Sequence, residues 1–143
     1  RVPRHHSGFA TIEPRNALPA EHRVDELTVR TVRVDDLEWL DDVGFVKVDV
    51  EGHELAVLRG AERLLRRDRP TLLVECEERH HPGATAALRA YLEGLGYEGL
   101  FVMWDGVLQP IRLFADVHQV VTHLCDRRDG RHYVNNFIFI AAH

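Results

Sequence analysis

The segment over residues 45–54, FVKVDVEGHE, constrains the fold of this chain more than any other. Its alternation of apolar and charged side chains predicts a strand over residues 45–50 whose valines enter a core. Strands inside a sheet seldom carry charge at every second position, so Lys47, Asp49 and Glu51 indicate a place where charge serves a purpose. The sequence therefore predicts a sheet in which one central strand has a charged end.

A helix is predicted directly after this strand. Gly52 permits a sharp exit, and Glu54 suits the positive end of the helix dipole. An apolar stripe at helical spacing continues to residue 65, and Pro70 stops the helix. Residues 71–75, TLLVE, then predict a second, parallel strand, so strand, helix and strand form one crossover unit.

Elements are also predicted before this unit. The alternation at residues 27–34 indicates a half-buried strand, paired with residues 9–12 as a hairpin. Asp35 or Asp36 is expected to cap the short helical turn that follows.

Three elements are predicted after the unit. They are a helix over residues 82–95 that Gly96 ends at the C′ position, a hairpin over 100–108 with a two-residue primed Asp-Gly turn, and a final strand over 133–140.

The composition limits the class of protein. The chain has 143 residues, 45% of them hydrophobic, which suits one globular domain. Its net charge of -5 argues against a nucleic-acid partner held by a basic surface. No apolar run approaches the roughly 20 residues of a membrane span, and the first residues contain no apolar signal core. We therefore expect a cytoplasmic protein without a membrane partner.

Cysteines and histidines do not predict a metal site. Cys76 and Cys125 lack CxxC spacing, so neither a disulfide framework nor structural zinc is expected, and Cys76 is predicted to be a small buried hydrophobe. His53, His80 and His81 could join nearby carboxylates around a divalent ion, but no spacing enforces it, and His80 and His81 are expected to be a loop pair.

Four motifs together resemble one known family. They are VDDL at residues 34–37, VKVDVEGHE at 46–54, VLRGA at 57–61 and PTLLVE at 70–75. They are similar to the C-terminal half of the FkbM family of S-adenosylmethionine-dependent methyltransferases. This resemblance implies an α/β fold with a Rossmann-like class I methyltransferase sheet, whose strand order is 3-2-1-4-5-7-6. The chain would carry strands 4-5-7-6, after an N-terminal β hairpin or extended segment.

The resemblance assigns residues to the strands of that sheet. The fourth, fifth, sixth and seventh strands are expected at residues 45–50, 71–75, 100–108 and 133–140. Residues 1–33 are predicted to be an irregular segment with short strands, and residues 34–143 the methyltransferase half.

The resemblance also implies S-adenosylmethionine as the cofactor. Class I members hold it with a glycine-rich loop after the first strand, and no such loop precedes residue 45, so cofactor-binding residues are not assigned. We expect a fragment of a longer enzyme or a truncated relative, with weak cofactor binding and no activity as the isolated chain. The open edge of the strand over residues 45–50 is also expected to favour self-association.

The chemistry of methyl transfer points to the charged strand ends. A hydroxyl that accepts a methyl group from a sulfonium must be positioned and must lose a proton. Open α/β sheets bind ligands at the carboxyl ends of their strands. Asp49 and Glu51 are therefore predicted to be catalytic, and Lys47, His53 and Glu75 to bind the substrate.

A structural interpretation of these carboxylates stays open. Asp49 and Glu51 could cap the following turn and helix and neutralise Lys47 or Arg59. Two function classes follow: a transferase acting on a small-molecule or sugar-like hydroxyl, and a non-catalytic α/β module that binds a partner.

Overall fold

The computed structural model describes residues 2–3, 24–103, 105–119 and 133–142. The strands are β1 Val2–Pro3, β2 Val24–Asp25, β3 Phe45–Val48, β4 Thr71–Glu75, β5 Tyr97–Val102, β6 Leu108–Pro110 and β7 Asn136–Ala141. The helices are α1 Glu54–Arg59, α2 Glu62–Asp68 and α3 Ala84–Gly94. Short 3-10 turns lie at Val34–Asp36, Ile111–Leu113 and Asp116–Gln119.

Five strands form one mixed sheet in the order β3-β4-β7-β5-β6. β3 runs parallel to β4, whereas β7 is antiparallel to both of its neighbours, β4 and β5. β3, β4 and β5 therefore point the same way, and their carboxyl ends lie at one edge of the sheet. β7 begins at that same edge, so the residues just before it join the strand ends there.

One face of the sheet carries the core. Val48 and Val74 share this face with Phe137 and Phe101, and all four are almost fully buried. The buried leucines of α1, α2 and α3 pack against them. Gly99 is required on this face, because a Cβ there would approach Ile111 and Phe139 to 2.7 Å. Cys76 is buried next to this core as predicted, and burial raises the pKa of its thiol to about 12.

The first crossover contains two short helices, so the prediction of one continuous helix is wrong. The chain leaves helical geometry at Ala61, which has φ -115° and ψ 13°. Asp35 supplies the physical reason. Its carboxylate accepts hydrogen bonds from the N–H groups of Arg63 at 3.0 Å and Leu64 at 3.1 Å, which caps a new helix start at that point.

The prediction that Asp35 or Asp36 caps its own helical turn is also wrong. The 3-10 turn at Val34–Asp36 has no side-chain cap, and the side chain of Asp35 is buried against α2 instead. The N–H of Asp35 donates to the carbonyl of Gly60 at 2.8 Å. This residue therefore fastens the segment before β3 to the junction of the two helices.

The strand predicted over residues 27–34 does not form. Only Val24–Asp25 is a strand in this region, paired with Val2–Pro3, and residues 9–12 lie outside the described part of the chain. Leu27, Val29 and Val32 are exposed. Alternation alone does not make a strand, and none of the described residues forms a strand pair with residues 27–34.

The hairpin of β5 and β6 forms as predicted, but its turn differs. The N–H of Gly106 donates to the carbonyl of Met103, the N–H of Met103 donates to the carbonyl of Val107, and Gly106 has φ 82°. These bonds close the hairpin at Met103 and Val107, so the connection is longer than a two-residue primed Asp-Gly turn and ends in a left-handed glycine.

The other boundaries shift little. β3 ends at Val48 rather than residue 50, because Glu51 and Gly52 both have positive φ and bend the chain away. α3 begins at Ala84 and is followed by Gly96 with φ 82°, as expected for a C′ glycine. β3 is a margin of the described sheet and its Phe45 is 58% exposed. Self-association at this margin stays a prediction.

Candidate functional site

Charged side chains gather where the parallel strands end. β3 leads directly into Asp49 and β4 ends with Glu75. Because β3 and β4 are neighbouring parallel strands, these two carboxylates lie at the same edge of the sheet. This is the edge at which open α/β sheets bind their ligands.

Lys47 and Asp49 form an ion pair at this edge. The Nζ atom of Lys47 lies 2.9 Å from Oδ2 of Asp49, and both side chains are substantially exposed. The hydrogen bond to Asp49 raises the pKa of Lys47. Exposed pairs of this kind contribute little to stability, so either partner can be exchanged for a charged ligand at low cost.

Glu51 occupies a turn with unusual backbone geometry. Its φ is 52°, in the left-handed region that side chains other than glycine seldom adopt, and Gly52 follows with φ 102°. The N–H of Gly52 donates to Oε1 of Glu54 at 2.8 Å, so Glu54 stabilises the turn that leads into α1. The Glu51 carboxylate reaches His80, whose Nε2 is 2.9 Å from its Oε2.

Glu75 is held among other carboxylates. Its Oε1 accepts a hydrogen bond from Nδ2 of Asn135 at 2.8 Å. Burial, followed by the negative charges of Asp49, Glu77 and Glu51, raises the pKa of Glu75. A carboxyl group with a raised pKa at a strand end is a candidate for proton exchange.

Glu77 anchors this cluster and was not predicted from the sequence. It is 5% exposed and accepts hydrogen bonds from Nε and Nη2 of Arg79, at 2.6 and 2.8 Å, and from the hydroxyl of Tyr133. Burial acts to raise the pKa of Glu77, but these hydrogen bonds outweigh it and hold the pKa below its usual value. Burial and the bond to Glu77 raise the pKa of Tyr133. A signal was present in the sequence, since Glu77 follows Glu75 at the spacing of one strand face.

His53 lies apart from the carboxylates and lines a groove. The groove has a volume of about 1020 Å³ and runs beside the end of β3, between α1 and the segment before the 3-10 turn. Asp49 and His53 line one side, and Arg30, Arg33 and Asp36 line the other. Asp49 therefore belongs to both the carboxylate cluster and the groove.

The structure thus brings four of the five predicted site residues to one edge, Lys47, Asp49, Glu51 and Glu75, and places His53 in the adjoining groove. Within the described ranges, no group of three histidine, cysteine or acidic side chains is placed to hold a metal ion. No helix among the described residues is long and apolar enough to cross a membrane.

A mixed α/β sheet with charged strand ends beside a groove is the architecture of a ligand-binding α/β domain, commonly an enzyme. The model of the FkbM methyltransferase domain matches residues 2–98, and the chain therefore belongs to that family. The five-stranded sheet and its three helices are compatible with a partial Rossmann-like methyltransferase fold. A search of curated proteins found no match, and neither did a search of solved structures.

Proposed function

We propose that this chain contributes the acceptor side of an S-adenosylmethionine-dependent methyltransferase that methylates a hydroxyl of a small molecule or sugar. The observation that carries the proposal is the gathering of Asp49, Glu51 and Glu75 at the carboxyl edge of β3 and β4, next to a groove that Asp49 also lines. Family membership supports the methyltransferase part of it.

The sheet order supports a specific alignment with the class I template. We propose that β3, β4, β7 and β5 correspond to the fourth, fifth, seventh and sixth strands. An antiparallel strand between two parallel ones is the distinguishing feature of that order, and β7 occupies this place. The alignment makes the margin of β3 the side on which the template carries its first strand.

The groove fits the chemical character of the cofactor. S-adenosylmethionine carries an ammonium group, a carboxylate and ribose hydroxyls. Asp36 and Asp49 can accept hydrogen bonds from the ammonium or the hydroxyls, and Arg30 and Arg33 can bind the carboxylate. When bound, the cofactor supplies the electrophilic methyl group. We therefore propose that Arg30, Arg33, Asp36 and Asp49 would contribute to holding the cofactor beside the acceptor.

The carboxylates act on the acceptor. We propose that Asp49 and Glu51 are catalytic: they would orient the acceptor hydroxyl, and one of the two carboxylates would take up the single proton that it loses. Lys47 and Glu75 would bind neighbouring polar groups of the acceptor. His53, at the start of α1, would contact the acceptor from the groove side.

The test is methyl transfer by the complete enzyme that contains this chain, with the wild-type and the variant site. Radiolabelled S-adenosylmethionine would be supplied with a panel of sugar and small-molecule alcohols, using wild type, Asp49→Asn and Glu51→Gln. We expect turnover to fall about 100-fold in each variant, the usual scale for acid–base groups. Melting temperatures should stay close to wild type. Variants that lose stability but keep turnover would show that the carboxylates only shape the turn.

A non-catalytic module is the second candidate function. One observation favours it: Asp49 is already paired with Lys47. Calorimetric titration with S-adenosylmethionine separates the two functions. Absence of both binding and transfer in the complete protein that contains this chain would support the module, whereas saturable binding that Asp49→Asn weakens would support the enzyme.

A further inference from the structure

His80 lies between two carboxylates that the proposed function uses or depends on. Its Nε2 is 2.9 Å from Oε2 of Glu51 and 3.8 Å from Oε1 of Glu77. Its side chain is 13% exposed, so it is held inside the edge of the sheet rather than in solvent. The adjacent His81 is exposed, and its Nδ1 lies against the carbonyl of Pro82.

The support behind His80 is rigid. Glu77 is fixed by the paired contacts from Arg79 and by the Tyr133 hydroxyl, which together leave it little freedom to turn. Among the described residues, His80 contacts Glu51 in the turn after β3 and Glu77 in the loop after β4, and Glu77 in turn binds Arg79 and Tyr133. The imidazole therefore links the turn after β3 to the loop after β4.

Glu51 needs such a support because of where it lies. Its left-handed backbone is unfavourable relative to an ordinary conformation, and such strain persists only where surrounding contacts fix it. The side chain must also keep one direction if its carboxylate is to meet an acceptor hydroxyl. A hydrogen bond from His80 supplies that restriction.

We propose that His80 is the positioning residue of Glu51. Its Nε2–H donates to Oε2 of Glu51 and fixes the carboxylate over the strand edge, while Glu77 holds the imidazole in place. The acceptor then loses its O–H proton to the Glu51 carboxylate as the oxygen–methyl bond forms and the sulfur–methyl bond breaks. The catalytic role of Glu51 in this inference rests on the proposed function. The contact between His80 and Glu51 does not depend on it.

Kinetics of His80→Ala and His80→Gln test the role, with His81→Ala as the matched control. We expect His80→Ala to lower kcat about 10- to 100-fold, as removal of an orienting partner usually does, with KM within about twofold. Gln also donates from a planar side chain, so His80→Gln should recover most of kcat. His81→Ala should match wild type. The inference is overturned if His80→Ala keeps its kcat, or if a folded His80→Gln is no better than His80→Ala.

Nitrogen NMR of the imidazole rings tests the contact without any assay. We expect the His80 ring to carry its proton on Nε2 and its signals to move in Glu51→Gln, while those of His81 stay in place. If the complete enzyme shows this coupling but transfers no methyl group, the proposed function is overturned and the contact is retained. If the His80 signals keep their positions in Glu51→Gln, the inference is overturned.

Discussion

Charged side chains have different partners at the two edges of the sheet. At the edge where β4 and β5 begin, Arg69 donates to the backbone carbonyls of Gly96 at 3.1 Å and Ala142 at 2.7 Å. At the opposite edge, Glu51 and His80 bind each other. Charges committed to the backbone hold chain segments together, whereas charges paired with other side chains can exchange a partner for a ligand.

The same contrast separates two residues with equally unusual backbones. Arg69 has φ 50° and Glu51 has φ 52°. Arg69 ends α2, and its guanidinium also lies over the Tyr97 ring at 5.8 Å from the centroid, so its conformation serves a connection in the fold. Glu51 directs a carboxylate towards an edge that already holds Asp49 and Glu75. Strain of similar size therefore has a structural purpose at one edge and, we propose, a chemical one at the other.

The largest effect on stability is expected from Asp35, a charge committed to backbone groups. Asp35→Ala removes the cap of α2 and leaves two N–H groups without their acceptor, which should cost about 2 kcal/mol of unfolding free energy. Asp36→Ala, its exposed neighbour, should change it by less than about 0.5 kcal/mol. Urea denaturation of both variants measures the difference. Equal losses would show that the Asp35 contacts do not stabilise α2.

A smaller loss is expected at Arg69. Arg69→Ala removes the two bonds to carbonyls and should cost about 1–2 kcal/mol, with kcat unchanged. Arg69→Gly removes the same bonds but accepts the left-handed backbone, so it should be less destabilising than the alanine variant by about 1 kcal/mol. Thermal unfolding of Arg69→Ala and Arg69→Gly measures the difference in stability that the left-handed backbone causes. A loss of kcat in either variant would contradict the assignment of this edge to structure alone.

Glu51→Gly should leave the unfolding free energy within about 1 kcal/mol of wild type, because the glycine removes strain while the contact with His80 is lost. Turnover should nevertheless fall as far as in Glu51→Gln. Denaturation and kinetics on the same samples test this, with Glu51→Ala as the comparison that keeps the strain. A glycine variant with normal turnover would remove Glu51 from the chemistry.

Those elements that depend on local pattern could be predicted from the sequence. The strand at residues 71–75 was confirmed residue for residue, and Gly96 was placed correctly at the end of α3. The division between α1 and α2 could not be predicted, because the cap comes from Asp35, 28 residues before Arg63. The alternation over residues 27–34 was misleading because pattern does not reveal whether a pairing strand exists.

The candidate site likewise contains residues whose positions could be predicted and residues whose contacts could not. Asp49 and Glu75 could be placed at one edge because each ends a predicted parallel strand. The contacts of Glu77 could not, since they require the antiparallel insertion of β7, which brings Tyr133 to a residue 56 positions earlier. His80 was expected in a loop, and nothing in its local sequence indicates that Glu51 is its partner.

The smallest expected effect concerns the pH dependence of stability at the carboxyl edge. The raised pKa of Glu75 means that the fold disfavours its ionised form. Its contribution to stability is therefore present below the ordinary pKa of 4.5 and is lost as pH rises through the raised value. Glu75→Gln, which can still accept the bond from Asn135, should melt slightly higher than wild type at pH 8, and this gain should vanish as the pH falls below 4.5.

Glu77→Gln provides the control of opposite sign. Because the pKa of Glu77 is lowered, its contribution is present above its ordinary pKa and is lost as pH falls through the lowered value. The glutamine variant should therefore melt lower than wild type at pH 8, and the deficit should shrink in acid. Melting curves of both variants between pH 3 and 8 show whether their pH dependences have opposite signs. If Glu75→Gln also melts lower than wild type at pH 8, the ionised Glu75 stabilises the fold, as the charges at the opposite edge do. The difference between the two edges of the sheet would then not hold for Glu75.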